Sequence, residues 1–243
     1  MKRCFIIRPG RIGDIVIVLP IAKYYADKGY KVYWFIYHEF STMLKYVDYV
    51  CPIPLFCNDI YSGAAKAYRE LNKIDITQTD IVIDISIGFT SSKVHGEWIN
   101  TNLPFDVWKY KKAGVPFSEK WNLKINRKRK KEKILSNYMG IRPGDIYSVT
   151  HSISAMGSFC FDTIISKYQN KRIHLVEIKK VEGFTIFDWI GIIEQSQWVY
   201  CVDSCAANLV NQLGFCKNRR VFKFLRDNRK IYQPTMKDDW IIL

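Results

Sequence analysis

The chain has 243 residues, enough for one large domain or two small ones, and its 48% hydrophobic and 15% aromatic content can fill cores. Its net charge of +14 points to an anionic partner, a description met by nucleic acid, nucleotide, phosphorylated glycan and membrane headgroup alike. No run approaches the roughly 18 apolar residues of a membrane span, and the opening M-K-R-C-F-I-I-R-P-G has too short an apolar run for a signal peptide.

In chain order, the first apolar run, Cys4 to Ile7, stops at Arg8-Pro9-Gly10, and a second starts at Ile12 and continues past Pro20 into Ala22, Tyr24 and Tyr25. The first predicts a buried parallel strand and the second a helix. Lys31 to Tyr37 is a β-branched and aromatic strand, His38 to Tyr46 a short helix, and Tyr49 to Ile53 a third strand ended by the Pro52/Pro54 pair. Ile60 to Asn72 is helical, and Thr79 to Ile87 is a strong strand followed by Gly88. Phe89 to Trp121 is aromatic, proline-rich and poorly periodic, which predicts loops and short helices flanking a cleft. The block Lys124 to Lys133, K-I-N-R-K-R-K-K-E-K, invites a nucleic-acid reading. It interleaves no aromatic that could stack on bases, which favours a solvated linker or the exposed start of a helix.

A domain boundary is placed near Asn126, dividing residues 1–126 from 127–243. The second half opens with a strand, Ile146 to Thr150, and a polar turn, His151 to Gly157. A helix at Phe161 to Tyr168, a strand at Arg172 to Ile178 and an apolar helix at Phe184 to Gln195 follow. Then come a strand at Trp198 to Val202, a helix at Ala206 to Leu213 ended by Gly214, and a last strand at Val221 to Leu225. The tail, Lys230 to Leu243, is expected to pack back on the first domain. Strands alternating with helices in both halves predict two Rossmann-like, doubly wound α/β domains. The seven cysteines, Cys4, Cys51, Cys57, Cys160, Cys201, Cys205 and Cys216, are scattered without a C-x-x-C pair. That argues against a zinc site and for free thiols in a reducing compartment, and a cytoplasmic protein is expected.

Two turns carry the chemistry. Arg8 to Asp14 joins the first strand to its helix and holds two glycines, Gly10 and Gly13, two arginines, Arg8 and Arg11, and Asp14. A strand-to-helix turn points free backbone N–H groups outward at the sheet end where open α/β folds bind ligands. One carboxylate among arginines there is a candidate general base beside an anion site; the plainer reading is a tight turn with an Asp N-cap. Asp203-Ser204-Cys205-Ala206-Ala207-Asn208 repeats the layout: a strand ends on a carboxylate, small residues follow, and a helix begins. Small residues at a helix start let a phosphate approach the N–H groups.

Taken together, these motifs resemble the heptosyltransferase-like glycosyltransferases, glycosyltransferase family 9, of GT-B fold. Arg8 to Pro20 is similar to that family's opening strand, G-D turn and apolar helix with an early proline. Asp80 to Ser92 is similar to its fourth strand, and Phe184 to Gly214 to its closing helix, D-S strand end, small pair and Gly-ended helix. The resemblance implies two domains facing across a cleft and transfer of a sugar from a nucleotide-sugar to an acceptor hydroxyl with inversion, without a required metal or cofactor. By it, Asp14 is the base, and Asp203, Ser204, Cys205, Ala206, Ala207 and Asn208, with His151 and Ser152, hold the donor. Arg8, Arg11 and Gly13 contact the acceptor or phosphate. Asn208 stands where the family has His, and Cys205 where it has Gly. The basic residue usual after the strand ending at Thr150 is absent, leaving His151 or Lys179 to substitute. The acceptor implied is anionic: a glycan, a glycolipid or, given the charge, a hydroxylated base in DNA. The alternative is a nucleic-acid-binding protein on a non-catalytic transferase scaffold, with Asp14 a cap and the Lys124 to Lys133 block doing the binding.

Overall fold

Near-continuous apolar runs separated by helices form two parallel sheets here, one in each of two compact units. The structure, a computed structural model, describes residues 1–56, 62–87, 93–168, 173–225 and 230–243. One unit is Met1–Asn126 with Lys230–Tyr232, and the other is Arg127–Arg229 with Gln233–Leu243. Cys57, Ile60, the Gly88 to Ser92 end of the fourth-strand motif and the start of the strand expected from Arg172 lie outside the described residues.

The first unit runs β1 (Arg3–Ile7), α1 (Ile12–Asp27), β2 (Lys31–Tyr37) and α2 (His38–Ser41), which passes into a 3-10 turn at Thr42–Tyr46. It continues with β3 (Cys51–Leu55), α3 (Gly63–Leu71), β4 (Ile81–Asp84), α4 (Lys93–Ile99), α5 (Phe105–Lys112) and a 3-10 turn at Phe117–Trp121. The sheet order is β3-β2-β1-β4, all parallel. Cys4, Phe5, Ile6 and Ile7 are all buried, so both faces of β1 are covered, which is why its sequence does not alternate. Phe5 and Ile7 pack with Ala67 and Leu71 of α3, each large apolar side chain contributing roughly 1.5–3 kcal/mol by burial. The third strand was expected to stop at its prolines, yet β3 runs through both Pro52 and Pro54. It lies at the sheet edge, where a missing N–H facing outward breaks no ladder bond.

The second unit runs α6 (Arg129–Tyr138), β5 (Tyr147–His151), a hairpin of β6 (Ile153–Ser154) and β7 (Gly157–Ser158), α7 (Asp162–Tyr168) and β8 (His174–Glu177). A 3-10 turn at Ile186–Trp189 then leads into α8 (Ile190–Gln195), followed by β9 (Val199–Val202), α9 (Cys205–Leu213), β10 (Arg220–Lys223) and β11 (Trp240–Ile242). Its parallel sheet has the order β11-β10-β9-β5-β8. The polar turn after β5 is thus a small hairpin. The apolar helix near 184–195 is broken by a capping box in which Thr185 and Asp188 satisfy each other's backbone. The last strand, β11, was not foreseen. Part of the basic block is tied up internally: Arg127 donates to Glu132 at 2.6 and 2.8 Å and to Glu194 at 2.6 Å. Among the described residues, no helix is long and apolar enough to cross a membrane.

Each sheet has one point where the chain reverses its winding. In the first, β1, β2 and β3 step one way and β4 returns to the other side of β1. In the second, β8 lies on one side of β5 and β9 on the other. Open α/β sheets bind ligands outside the carboxyl ends of strands at such points.

Candidate functional site

The turn after β1 lies at the switch point of the first sheet. Gly10 is needed there because a Cβ would come within 2.5 Å of the Tyr37 ring. Trp34 Nε1 donates to the Arg8 carbonyl at 2.8 Å and fixes the strand end. Arg11 caps α1 with a φ of 75°, a left-handed conformation that costs a non-glycine residue about 1–3 kcal/mol and marks a tight, over-determined turn. Asp14 is the third residue of α1 and makes no capping bond, so it is not the N-cap of the plainer reading. Arg8 Nη2 donates to its Oδ2, and Lys109 Nζ, from α5, donates to its Oδ1. Arg8 Nη1 donates to the Ile87 carbonyl just beyond β4, so the guanidinium bridges the two strand ends of the switch point.

Lys109 arrives there because α5 is docked on α1. Tyr110 Oη donates to the Ile17 carbonyl at 2.9 Å, next to the Val16 carbonyl that Pro20 leaves without an intrahelical donor. Tyr25 Oη donates to the Ala113 carbonyl at 2.6 Å. Asp106 of the same helix forms a wholly buried ion pair at 2.6 Å with Lys120, which ties α5 to the Phe117–Trp121 turn. Side-chain exposure is 4% for Arg8, 0% for Lys109 and 14% for Asp14, so the carboxylate alone has an opening to solvent. Burial by itself would raise the Asp14 carboxyl, but the two cations outweigh it and hold it at about 2. Burial pushes the Lys109 ammonium down to about 8 although Asp14 pulls it up.

In the second unit, a cavity of about 460 Å³ opens beside the ends of β5 and β8. Thr150, Ser152, Asp162 and Glu177 are among its polar lining, and Ile153, Phe159 and Phe161 among its apolar walls. Glu177 accepts from Thr150 Oγ1, from Ser152 N–H at 2.9 Å and from Ser152 Oγ at 2.8 Å, and so holds a carboxylate at the cavity edge. Across β5, Ser204 caps α9: its Oγ accepts from Ala207 N–H at 3.4 Å. Asn208 Nδ2 donates to the Ser204 carbonyl at 3.0 Å, while its buried Oδ1 has no partner among the described residues. Gly214 ends the helix with a φ of 72°, the left-handed conformation of a C-terminal cap. Burial pushes the Cys205 thiol up to about 11, so it is protonated and unreactive at neutral pH.

Arg8 and Asp14 are therefore brought together, whereas Arg11 is exposed and Gly13 lies within the first turn of α1. Ser204, Ala207 and Asn208 share one turn, with Asp203 buried before them and Cys205 and Ala206 opening α9. Ser152 lines the cavity; His151 does not, and its buried Nδ1 has no partner among the described residues. Burial lowers the His151 imidazole, with Glu177 pulling the other way. Lys179 is exposed. Lys109 and Glu177 were not anticipated. The end of the second strand of a Rossmann-like unit is the signal that could have found Glu177. Among the described residues, no group of three His, Cys, Asp or Glu side chains is placed to hold a metal.

By sequence, no family model matches the chain, and neither does any curated protein. By structure, all of the chain superposes on 86% of a glycosyltransferase family 9 protein from Veillonella parvula DSM 2008, with a TM-score of 0.65 and 12% identity. The chain shares the fold of these transferases. It also superposes over its whole length on 90% of E. coli heptosyltransferase WaaC with ADP, at a TM-score of 0.51 and 12% identity. For the same enzyme with ADP-2-deoxy-2-fluoro heptose the values are 93%, 0.52 and 11%. The resemblance seen in the opening, fourth-strand and closing motifs thus extends to the whole fold, at 11–12% sequence identity.

Proposed function

We propose that the chain is an inverting glycosyltransferase of the GT-B kind, moving a sugar from a nucleoside diphosphate donor to a hydroxyl of an anionic acceptor. The observation that carries this reading is the carboxylate of Asp14, held ionised at the switch point of a sheet, in a chain that shares the fold of family 9 transferases. In this reading residues 1–126 take the acceptor and residues 127–243 the donor. Asp14 accepts the acceptor's hydroxyl proton as that oxygen bonds to the anomeric carbon, and the bond from that carbon to the diphosphate breaks on the opposite face. The leaving diphosphate gains charge, and fixed N–H dipoles at the start of α9 stabilise it without a metal.

A nucleoside diphosphate sugar is the donor class to expect, since the two E. coli structures hold ADP and an ADP-heptose analogue. Its nucleoside suits the cavity beside β5, with the Glu177 carboxylate on ribose hydroxyls. The ends of β8 and β9 are two strand spacings apart, about 10 Å, a distance one nucleotide can bridge to reach the Ser204 turn. The net charge of +14 supports an anionic acceptor, either a glycan or glycolipid or a hydroxylated base in DNA. The test is a mass-spectrometric screen of nucleotide-sugars against the protein. One donor class bound and slowly hydrolysed is expected; no binding to any donor would overturn the reading.

A further inference from the structure

Both oxygens of Asp14 are occupied, Oδ2 by Arg8 and Oδ1 by Lys109. A base must accept its proton on one of them, and a cation on each oxygen of a carboxylate only 14% exposed leaves it a weak, screened base in the arrangement seen. We propose that Lys109 is a positioning residue that occludes Asp14 at rest and swings away to an oxyanion of the acceptor, freeing Oδ1 for the reacting hydroxyl. This rests on the reading of Asp14 as the base.

The two cations are not equally held. Arg8 has a second anchor on the Ile87 carbonyl, and its own carbonyl is pinned by Trp34. Lys109 has its one hydrogen bond among the described residues on Asp14, with the Phe105 ring 4.9 Å from its ammonium. It also sits on a flexible four-carbon stem, whereas the guanidinium is a rigid fork. The charged groups around the carboxylate are Arg8 from the turn after β1, and Lys109 and Asp106 from α5. Asp106 is paired with Lys120 of the Phe117–Trp121 turn, whose one acidic residue, Glu119, accepts from Asn122. Behind Lys109, then, the nearest anion is already neutralised. Arg8, Lys109 and Asp14 together carry one excess positive charge, and the opening at Asp14 is where an incoming anion meets it. An acceptor oxyanion replaces Asp14 on Lys109 without stripping that cation of a partner, and the freed carboxylate becomes a stronger base. Acceptors with an anionic group close to the reacting hydroxyl would be selected over neutral ones by the same exchange.

The test reads Asp14 directly and needs no transfer assay. The full chain is labelled with ¹³C at aspartate carboxyls, and the Asp14 signal is assigned by its loss in Asp14→Asn. In wild type, sulfate at matched ionic strength is expected to raise the pH at which that signal titrates by about 1–3 pH units relative to chloride. Lys109→Met is expected to show the raised midpoint in chloride and no further response to sulfate, and Lys109→Arg to restore the low one. A wild-type signal indifferent to sulfate overturns the proposal, and does so even if Lys109→Met does not fold. A sulfate response of full size in Lys109→Met overturns it as well. If Asp14 is not the base, transfer survives in Asp14→Asn whatever sulfate does, so the two failures are distinguishable.

Discussion

Replacing Asp14 by Asn keeps the shape of the residue and removes its charge, and the structure dictates what that does to stability. Arg8 and Lys109 then face each other, 4% and 0% exposed, with no anion between them. Each pair at about 4 Å in surroundings of effective dielectric 20 is worth about 4 kcal/mol before desolvation, and breaking a buried pair by deleting one partner costs about 3–5 kcal/mol net. Lys109, already held down by burial, can shed its proton and limits the penalty. For a unit of this size the loss corresponds to a melting temperature lower by about 10–20 °C. Asp14→Asn with Lys109→Met removes the stranded cation and should recover most of that loss, so stability and catalysis can be separated in the double variant. Its sugar transfer should still be down by about 10²–10⁴-fold, the usual worth of a general base. Folding lowers the Asp14 carboxyl, so its contribution to stability is complete above about pH 4 and is lost as pH falls towards 2; a melt series over that window should show the slope in wild type and not in Asp14→Asn. An Asp14→Asn protein that melts with wild type, or a double variant no more stable than the single, refutes the charge argument. A folded double variant with full transfer activity refutes Asp14 as base.

Glu177→Gln should weaken ADP binding by about tenfold or more in calorimetry, with a small loss of stability because one of two oxygens that accept from Thr150 and Ser152 becomes an amide; an unaltered affinity places the nucleoside elsewhere. Cys205, half-buried at the start of α9, is the position at which a carboxylate can be set against the diphosphate, since the neighbouring Ala206 is fully buried. Cys205→Asp should weaken ADP and spare adenosine, and equal losses for both would move the diphosphate away from the start of α9. Ser204→Ala removes the side-chain cap of α9 and should cost about 0.5–2 kcal/mol in denaturant unfolding; no loss would mean that another group caps the helix.

What could be read from the residues depended on whether neighbours in sequence were also neighbours in space. β1, β2 and β9 are continuous apolar strands between turn residues, and their periodicity is a local property. β3 was misjudged at its end because proline is a breaker only when its missing N–H faces another strand, and which strand is the edge is a tertiary fact. β11 is three residues long and exists by pairing with β10, too short to carry a period. The same division runs through the site. Arg8 and Asp14 are six residues apart and their pairing follows from one turn. Lys109 is 95 residues from Asp14, on a helix whose sequence F-D-V-W-K-Y-K-K reads as a charged surface. Burial of charge follows no period of 2 or 3.6, because an ion pair is stable inside only where its partner happens to arrive. What marks α5 as a buried helix is therefore not its charges but the aromatics around them: Trp108 and Tyr110 flank Lys109, and both are buried. A lysine set between two buried aromatics on a short helix must find an anion or lose its proton, and the anion within reach in this unit is the one carboxylate that the first turn leaves unused as a cap.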